Sequence, residues 1–347
     1  MPARPSRATL LEAALALPAG LGRLGAAEVE PAVGAAIGGQ AVIEGVMMRG
    51  PARWTVTVRR PDGRLETSAT PYRSWAKKIP LLGQPFLRGA AVLLESMIVG
   101  LKALNYSAEI AAEAEAAGAA SSSEPAAGSA QPALGFWALA LTLAGALALA
   151  LGLFVALPHL LSLALGHAWG FDETSGWFHL ADGLFKFALF IAYVWGIGLI
   201  PEIGRVYAYH GAEHQAIFAF EAGDAPLTPA QAARHPTCHP RCGTAFIFLV
   251  LALSILFFAA VFPLFFPAAA GFSPLRTLAG IGLKIILMLP LAGLAYEVTR
   301  LAGRASPKSF WRKLLGPGLL LQRLTTRRPD EAQLEVALTA LNQAVGP

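Results

Sequence analysis

The stretch LGFWALALTLAGALALALGLFVAL, residues 134–157, contains no charged side chain. A helix of about 20 apolar residues crosses the hydrocarbon core of a bilayer, and a soluble domain rarely needs so long an apolar run. Three further runs repeat the pattern: 183–200, with Lys186 near its start; 243–267; and 275–296, with Arg276 at one end and Lys284 inside. A lysine within a span is costly unless it snorkels or pairs, so the last run is the least regular of the four. The composition agrees with membrane residence. The chain has 347 residues, 55% hydrophobic and 14% charged, with mean hydropathy +0.54. That balance lies outside the range of ordinary soluble domains. The net charge of +5 needs no nucleic-acid partner. It follows instead from loops that collect Lys and Arg on the cytosolic side.

The loops set an expected orientation. Residues 158–182 hold no Lys or Arg, whereas the region before the first span holds thirteen and the C-terminal tail is basic from Arg300 to Arg328. Both termini are therefore expected in the cytosol, at a bacterial inner membrane. The expected fold class is an α-helical polytopic membrane protein of about four transmembrane helices with a small N-terminal cytosolic β element. In order, the chain reads as a mobile arm (1–34), a β element plus interfacial helix (35–110), and a low-complexity linker (111–133). A four-helix membrane region (134–300) follows, with a cytosolic loop at 201–242, and then C-terminal interfacial segments and a helix (301–347). The basic start and apolar stretch of residues 1–20 resemble a signal peptide, but Glu12 interrupts the apolar part.

Within the β element, RWTVTVRRPDGRLETSAT alternates polar and β-branched residues around Pro61-Asp62-Gly63. That is hairpin chemistry. Val42, Ile43, Val46 and Met47 suggest a further strand beside it. Residues 89–105 are apolar but carry Glu95 at their centre, which fits an interfacial or buried helix better than a span. Near the C-terminus, RPDEAQLEVALTALNQAV reads as a docking helix, with Pro329 in its first turn and Asp330 and Glu331 at its positive end.

The chemistry concentrates in PEIGRVYAYHGAEHQAIFAFEAGD. Ile203, Val206, Tyr207, His210, His214, Ile217 and Glu221 recur at three- and four-residue steps, which places them on one helical face. His210 and His214 are one turn apart, so both imidazoles can reach one ion, and Glu213 shares that side. This is H-x-x-E-H, an arrangement in which the two His bind Zn²⁺ and the Glu activates water. Two histidines on a solvated helix face would show the same spacing. A second cluster follows in HPTCHPRCGT, which holds His235, Cys238, His239 and Cys242. Imidazole and thiolate are preferred zinc donors, and the two clusters together can fill a tetrahedral site. If a straight helix ran on past Ile200, it would lift His210 about 15 Å beyond the span, so a shared site needs a kink at Pro201 or a longer membrane helix. Glu44 is a further carboxylate in an apolar stretch, with Arg49 or Arg88 as candidate partners. Glu202 and Arg205, three apart, could pair with each other.

GGQAVIEGVMMRGP, PLLGQPFLRGAAVLLESMIVGLKAL, WGIGLIPEIGRVYAYHGAEHQAI, HPRCGTAF, LAYEVTRLAGR and PGLLLQRLTTRRPDEAQLEVAL resemble, in order, the segments of the bacterial YqhQ membrane-protein family. The resemblance covers about residues 35–345 and implies a metal-dependent enzyme of unsettled function. By position it points to Gln40, Glu44, Glu202, Arg205, His210, Glu213, His214, Arg241 and Cys242. His239 matches the H-x-R-C-G-T motif, and Cys238 falls outside it.

These readings converge on a cytosol-facing zinc site held by His210, His214, His239 and Cys242, with Glu213, Glu44 and Arg241 as candidate catalytic residues. One alternative is a peptidase-like hydrolase with Glu213 as proton acceptor and an open metal position. The other is a non-enzymatic scaffold with a structural zinc, where Cys242 closes the site. A transporter or assembly factor using Lys284, Glu202 and Arg205 is a third reading; four spans without visible repeats argue against transport. The expected partners are the lipid bilayer and a protein or substrate at the cytosolic face.

Overall fold

The computed structural model describes residues 37–122, 136–265, 274–304, 306 and 308–346. The sequence-predicted arm (1–34) lies outside them. Four strands form an antiparallel sheet in the order β1 (Gly38–Val42), β2 (Gly45–Arg49), β3 (Arg53–Arg59), β4 (Leu65–Pro71). The hairpin expected at Pro61-Asp62-Gly63 joins β3 to β4, with Gly63 at φ +85° and the Arg64 N–H donating to Asp62 Oδ1 at 2.9 Å. The further strand is itself a hairpin. Val42 pairs with Gly45 across the two-residue turn Ile43-Glu44, where Glu44 takes φ +50°.

Alternation sorts the sheet's two faces. Val46 and Met48 face α5 (Pro201–Ala222) and α9 (Glu331–Val345), sharing a core with Tyr209, Ala212, Ala216, Leu334, Leu338 and Leu341. Val42, Met47, Trp54, Val56 and Val58 face α1 (Leu87–Ser122), where they meet Val99, Ala103 and Ile110. The C-terminal helix is thus a main wall of the core. Its N-cap is Asp330, which completes a capping box with Gln333 and leaves Pro329 just outside the helix. Helix α1 continues through the first part of the expected linker, as far as Ser122; residues 123–133 lie outside the described region.

Among the described residues, four helices are long and apolar enough to cross a membrane: Ala144–Trp169, Gly176–Ile197, Gly243–Val261 and Gly282–Ala302. The first comprises α2 (Phe136–Leu151), a π-helical turn at Gly152–Ala156, and α3 (Leu157–Trp169). It therefore extends well past the expected end at Leu157 and absorbs half of the expected 158–182 loop. The others are α4 (Gly176–Ile197), α6 (Gly243–Phe265) and α7 (Pro274–Arg304). Lys284 has partners that offset its burial: its Nζ is 3.8 Å from Asp182 Oδ2 and 3.5 Å from His179 Nδ1, both on α4. Lys186 completes the group, 2.6 Å from Asp182 Oδ2.

Candidate metal centre

The chain breaks between α4 and α5. Helix α4 ends at Ile197, and α5 starts afresh with Pro201 in its first turn, the position where proline's missing N–H costs least. The kink anticipated at Pro201 is thus a full interruption. It frees α5 to pack sideways against the sheet, with Ala208, Tyr209 and every residue from Gly211 to Ile217 buried. Helix α6 starts at Gly243, immediately after Cys242, and α8 (Gly316–Thr325) packs along it.

Where these elements meet, His210, His214 and Cys242 each offer a ligand atom, all within 4.8 Å of one another. His210 Nε2 is 3.2 Å from Cys242 Sγ, and the two imidazole centroids are 4.4 Å apart. The far side of each ring is fixed by a carbonyl. His210 Nδ1 lies 2.9 Å from Thr325 O, and His214 Nδ1 lies 2.5 Å from Thr237 O. A carbonyl only accepts, so both Nδ1 atoms carry a proton, and in a neutral ring held this way Nε2 presents the lone pair. Metal-ligating histidines are oriented in this way. Among the described residues His214 Nε2 is buried with no hydrogen-bond partner, which is costly for a polar atom unless something else coordinates it. Burial holds the His214 imidazole below its ordinary pKa against the opposing pull of the Cys242 thiol beside it. The Thr244 N–H, in the first turn of α6, donates to Cys242 Sγ at 3.4 Å. The donor set and tautomers therefore fit a divalent metal of zinc's chemistry, whose thiol ligand binds as thiolate.

His239, expected as a ligand, is not in this group. Its ring lies 5.7 Å from that of His214, yet its nitrogens are engaged elsewhere. Nδ1 accepts from the Arg241 N–H at 3.3 Å, which puts the proton on Nε2, 3.4 Å from Glu221 Oε2. The backbone of His239 is held by Gln322, whose Nε2 donates to His239 O at 2.8 Å and whose Oε1 accepts from its N–H at 2.7 Å. His235 pairs with Asp224 at 2.7 Å, and Cys238 is a half-buried free thiol outside the ligand group.

The expected catalytic residues separate. Glu213 is buried beside β1: a Cβ added at Gly39 would fall 2.6 Å from its Oε1. Desolvation raises its pKa, while His210 and His239 oppose the shift. Arg241 is occupied by Glu221, to which its Nη2 donates. Glu44 pairs with neither Arg49 nor Arg88. It accepts a bidentate fork from Arg205, with Nε to Oε1 at 2.6 Å, and a bond from Tyr209 Oη at 3.3 Å. Arg205 is consequently not Glu202's partner, and Glu202 lies exposed in the first turn of α5. Gln40 lies against Gly100 of α1. Glu221 was visible as the last residue of the helical stripe, but Gln322 and the carbonyls of Thr237 and Thr325 carry no sequence signature.

A family of proteins of unknown function, DUF1385, matches residues 84–346, and the chain belongs to it. It is 29% identical over 312 residues to the uncharacterized protein YqhQ of Bacillus subtilis (strain 168), covering 89% of this chain and 92% of that protein. No solved structure matches it.

Proposed function

We propose that this chain is a four-span membrane protein with a metal-dependent hydrolytic centre, peptidase-like in its chemistry, on the cytosolic side. The two carbonyl-locked imidazoles, with His214 Nε2 buried and lacking a hydrogen bond, carry the metal reading. Topology supports the spans. Strands β2 and β3 pack on α9, and α5, which follows the second span, shares their core. The segments before the first span, between the second and third, and after the fourth thus lie together, as an even number of crossings requires. The basic tail and the thirteen Lys and Arg before the first span support a cytosolic position for that side.

His210, His214 and Cys242 would hold zinc, leaving a fourth position unfilled by His239. Three protein ligands and an open position are the pattern of catalytic rather than structural sites. Bound zinc supplies Lewis acidity that polarises a scissile carbonyl. Thr325 O and Thr237 O hold the imidazoles in the binding tautomer. Glu213, whose burial makes its carboxylate a readier proton acceptor, takes a proton from the attacking water at a carboxylate oxygen and returns it to the leaving group. Glu44 and Arg241 have no step in this reading, since Arg205 and Glu221 occupy them.

A structural clamp is the second reading, favoured by one observation: His214 is 1% exposed, and the ligands tie α5 to the start of α6. Zinc content and cellular function of wild type and Glu213→Gln separate the two. The hydrolytic reading expects equal zinc and lost function, whereas a clamp expects equal zinc and retained function. Wild-type protein purified without metal would sink both.

A further inference from the structure

One face of α1 is apolar and unburied. Leu94, Met97, Ile98, Leu101 and Leu104 recur at three- and four-residue steps and are all exposed, Met97 at 63% and Leu101 at 60%. The opposite face is spent on the sheet, through Val99, Ala103 and Ile110. Exposed apolar side chains also line the approach to the helix, at Trp75, Ile79, Leu81, Phe86 and Leu87. Contiguous apolar surface of this kind marks an interaction site.

Glu95 fastens that approach to the helix. Its buried carboxylate accepts from Tyr72 Oη, from the Trp75 N–H and from Ser74 Oγ, the last at 3.1 Å. Trp75 is thereby fixed beside the stripe. Charge on this stretch has one sign at the surface. Between residues 73 and 104 the sole acid is Glu95, which is buried, while Arg73, Lys77, Lys78 and Lys102 are exposed. The stripe also begins at a membrane-length helix. The Phe86 carbonyl lies so close to Gly293 of α7 that a Cβ there would be 2.6 Å from it. Arg88 grips Glu297 of the same helix, with Nε to Oε1 at 2.6 Å.

From this arrangement we infer that residues 73–104, the approach and the first half of α1, lie in the surface of the cytosolic leaflet, with the apolar stripe among acyl chains and the basic residues on anionic headgroups. An interfacial helix needs an apolar face, a basic flank and anchoring aromatics, and buries about 5–10 Å deep. Each is present, and the contact of Phe86 and Arg88 with α7 starts the helix at a span. The inference rests on the spanning reading proposed above. It makes the sheet, and through it α5, a platform seated on the membrane.

The test places photoreactive benzoylphenylalanine at Met97 or at Leu256, an exposed residue of α6, in the full chain in native membranes. Lipid adducts at both positions are expected. Protein adducts at Met97 with lipid adducts at Leu256, whether to a second copy or another protein, leave the spans standing and overturn this inference. Absence of lipid at Leu256 overturns the spans, and this inference with them. In nanodiscs, amide exchange over residues 94–104 should be at least about tenfold slower with anionic than with neutral lipid, because basic residues at such a surface are attracted to anionic headgroups. Equal rates would overturn the headgroup assignment.

Discussion

His210 Nε2 lies 3.2 Å from Cys242 Sγ, although thirty-two residues separate the two along the chain. The approach exists because α5 packs sideways on the sheet and α6 starts at Gly243, which brings the sulfur to the open nitrogen of a ring already fixed by Thr325 O. Cys242→Ser keeps shape but replaces a soft thiolate with a poor ligand. Even partners outside a ligand set are worth roughly 10- to 100-fold in metal affinity, so this change should cost more than about 100-fold. Competition against a zinc chelator measures it. Unchanged affinity would remove Cys242 from the site.

Gln322 is fully buried and bonds both the N–H and the carbonyl of His239. It therefore holds the loop whose Thr237 carbonyl orients His214. Gln322→Ala strands buried polar groups, each at a cost of about 1–3 kcal/mol. The thermal midpoint should fall, and zinc affinity should drop about tenfold, as for a group that orients a ligand from outside. Retention of both would show that the loop is held by other contacts.

How much of this centre was legible in the sequence depends on distance along the chain. His210 and His214 were legible because helical period alone puts them on one side, and Cys242 because donor-rich clusters are rare. The turn of the His239 ring towards other partners was not. It is decided by Glu221 and by Gln322, eighty-three residues away, and no local pattern encodes which way a loop histidine turns. The same limit applies to Glu44, whose partner lies 161 residues on, and to the first span, whose helix runs through Pro158 because the π-helical turn at Gly152–Ala156, just before it, rearranges the bonding that an interior proline interrupts. The hairpin at Gly63 and the C-terminal helix opening at Asp330 and Glu331 were local, and the structure has both, with Pro329 outside the helix and not in its first turn.

Asp182 joins α4 to α7 through Lys284, and its Oδ1 is buried without a hydrogen bond among the described residues. Neutralising Asp182 takes its countercharge from Lys284, whereas removing Lys284 leaves Asp182 paired with Lys186. Lys284→Met and Asp182→Asn should each lower the midpoint of unfolding in detergent, and the double variant should lose less than their sum. Coupling between contacting groups runs at about 0.5–3 kcal/mol. Strict additivity would mean that the two do not interact.

Glu44 holds φ +50° so that its carboxylate can meet the Arg205 fork. The left-handed region costs a side chain roughly 1–2 kcal/mol that glycine avoids. The ion pair is partly exposed, with 58% of the Arg205 side chain accessible, so it contributes less than about 1 kcal/mol. Glu44→Ala keeps the strain and loses the pair; Glu44→Gly loses both. Thermal denaturation should rank Glu44→Gly above Glu44→Ala by about 1 kcal/mol. The reverse order would mean that the turn relaxes when the pair is gone.

Gly39 sits against the Glu213 carboxylate, where an added methyl would fall 2.6 Å from Oε1 and 2.7 Å from Cδ and Cγ. Such contacts are too short to persist, so Gly39→Ala must displace the Glu213 side chain. The imidazoles should not follow, since each is anchored from behind by a carbonyl on another segment. Zinc content should therefore match wild type and serve as evidence that the variant folds. If Glu213 moves the proton, function should fall as far as in Glu213→Gln, and combining the two changes should add little, because both act on one group. Full function with full zinc in Gly39→Ala would show that the position of this carboxylate does not matter, and would leave the metal with a structural role.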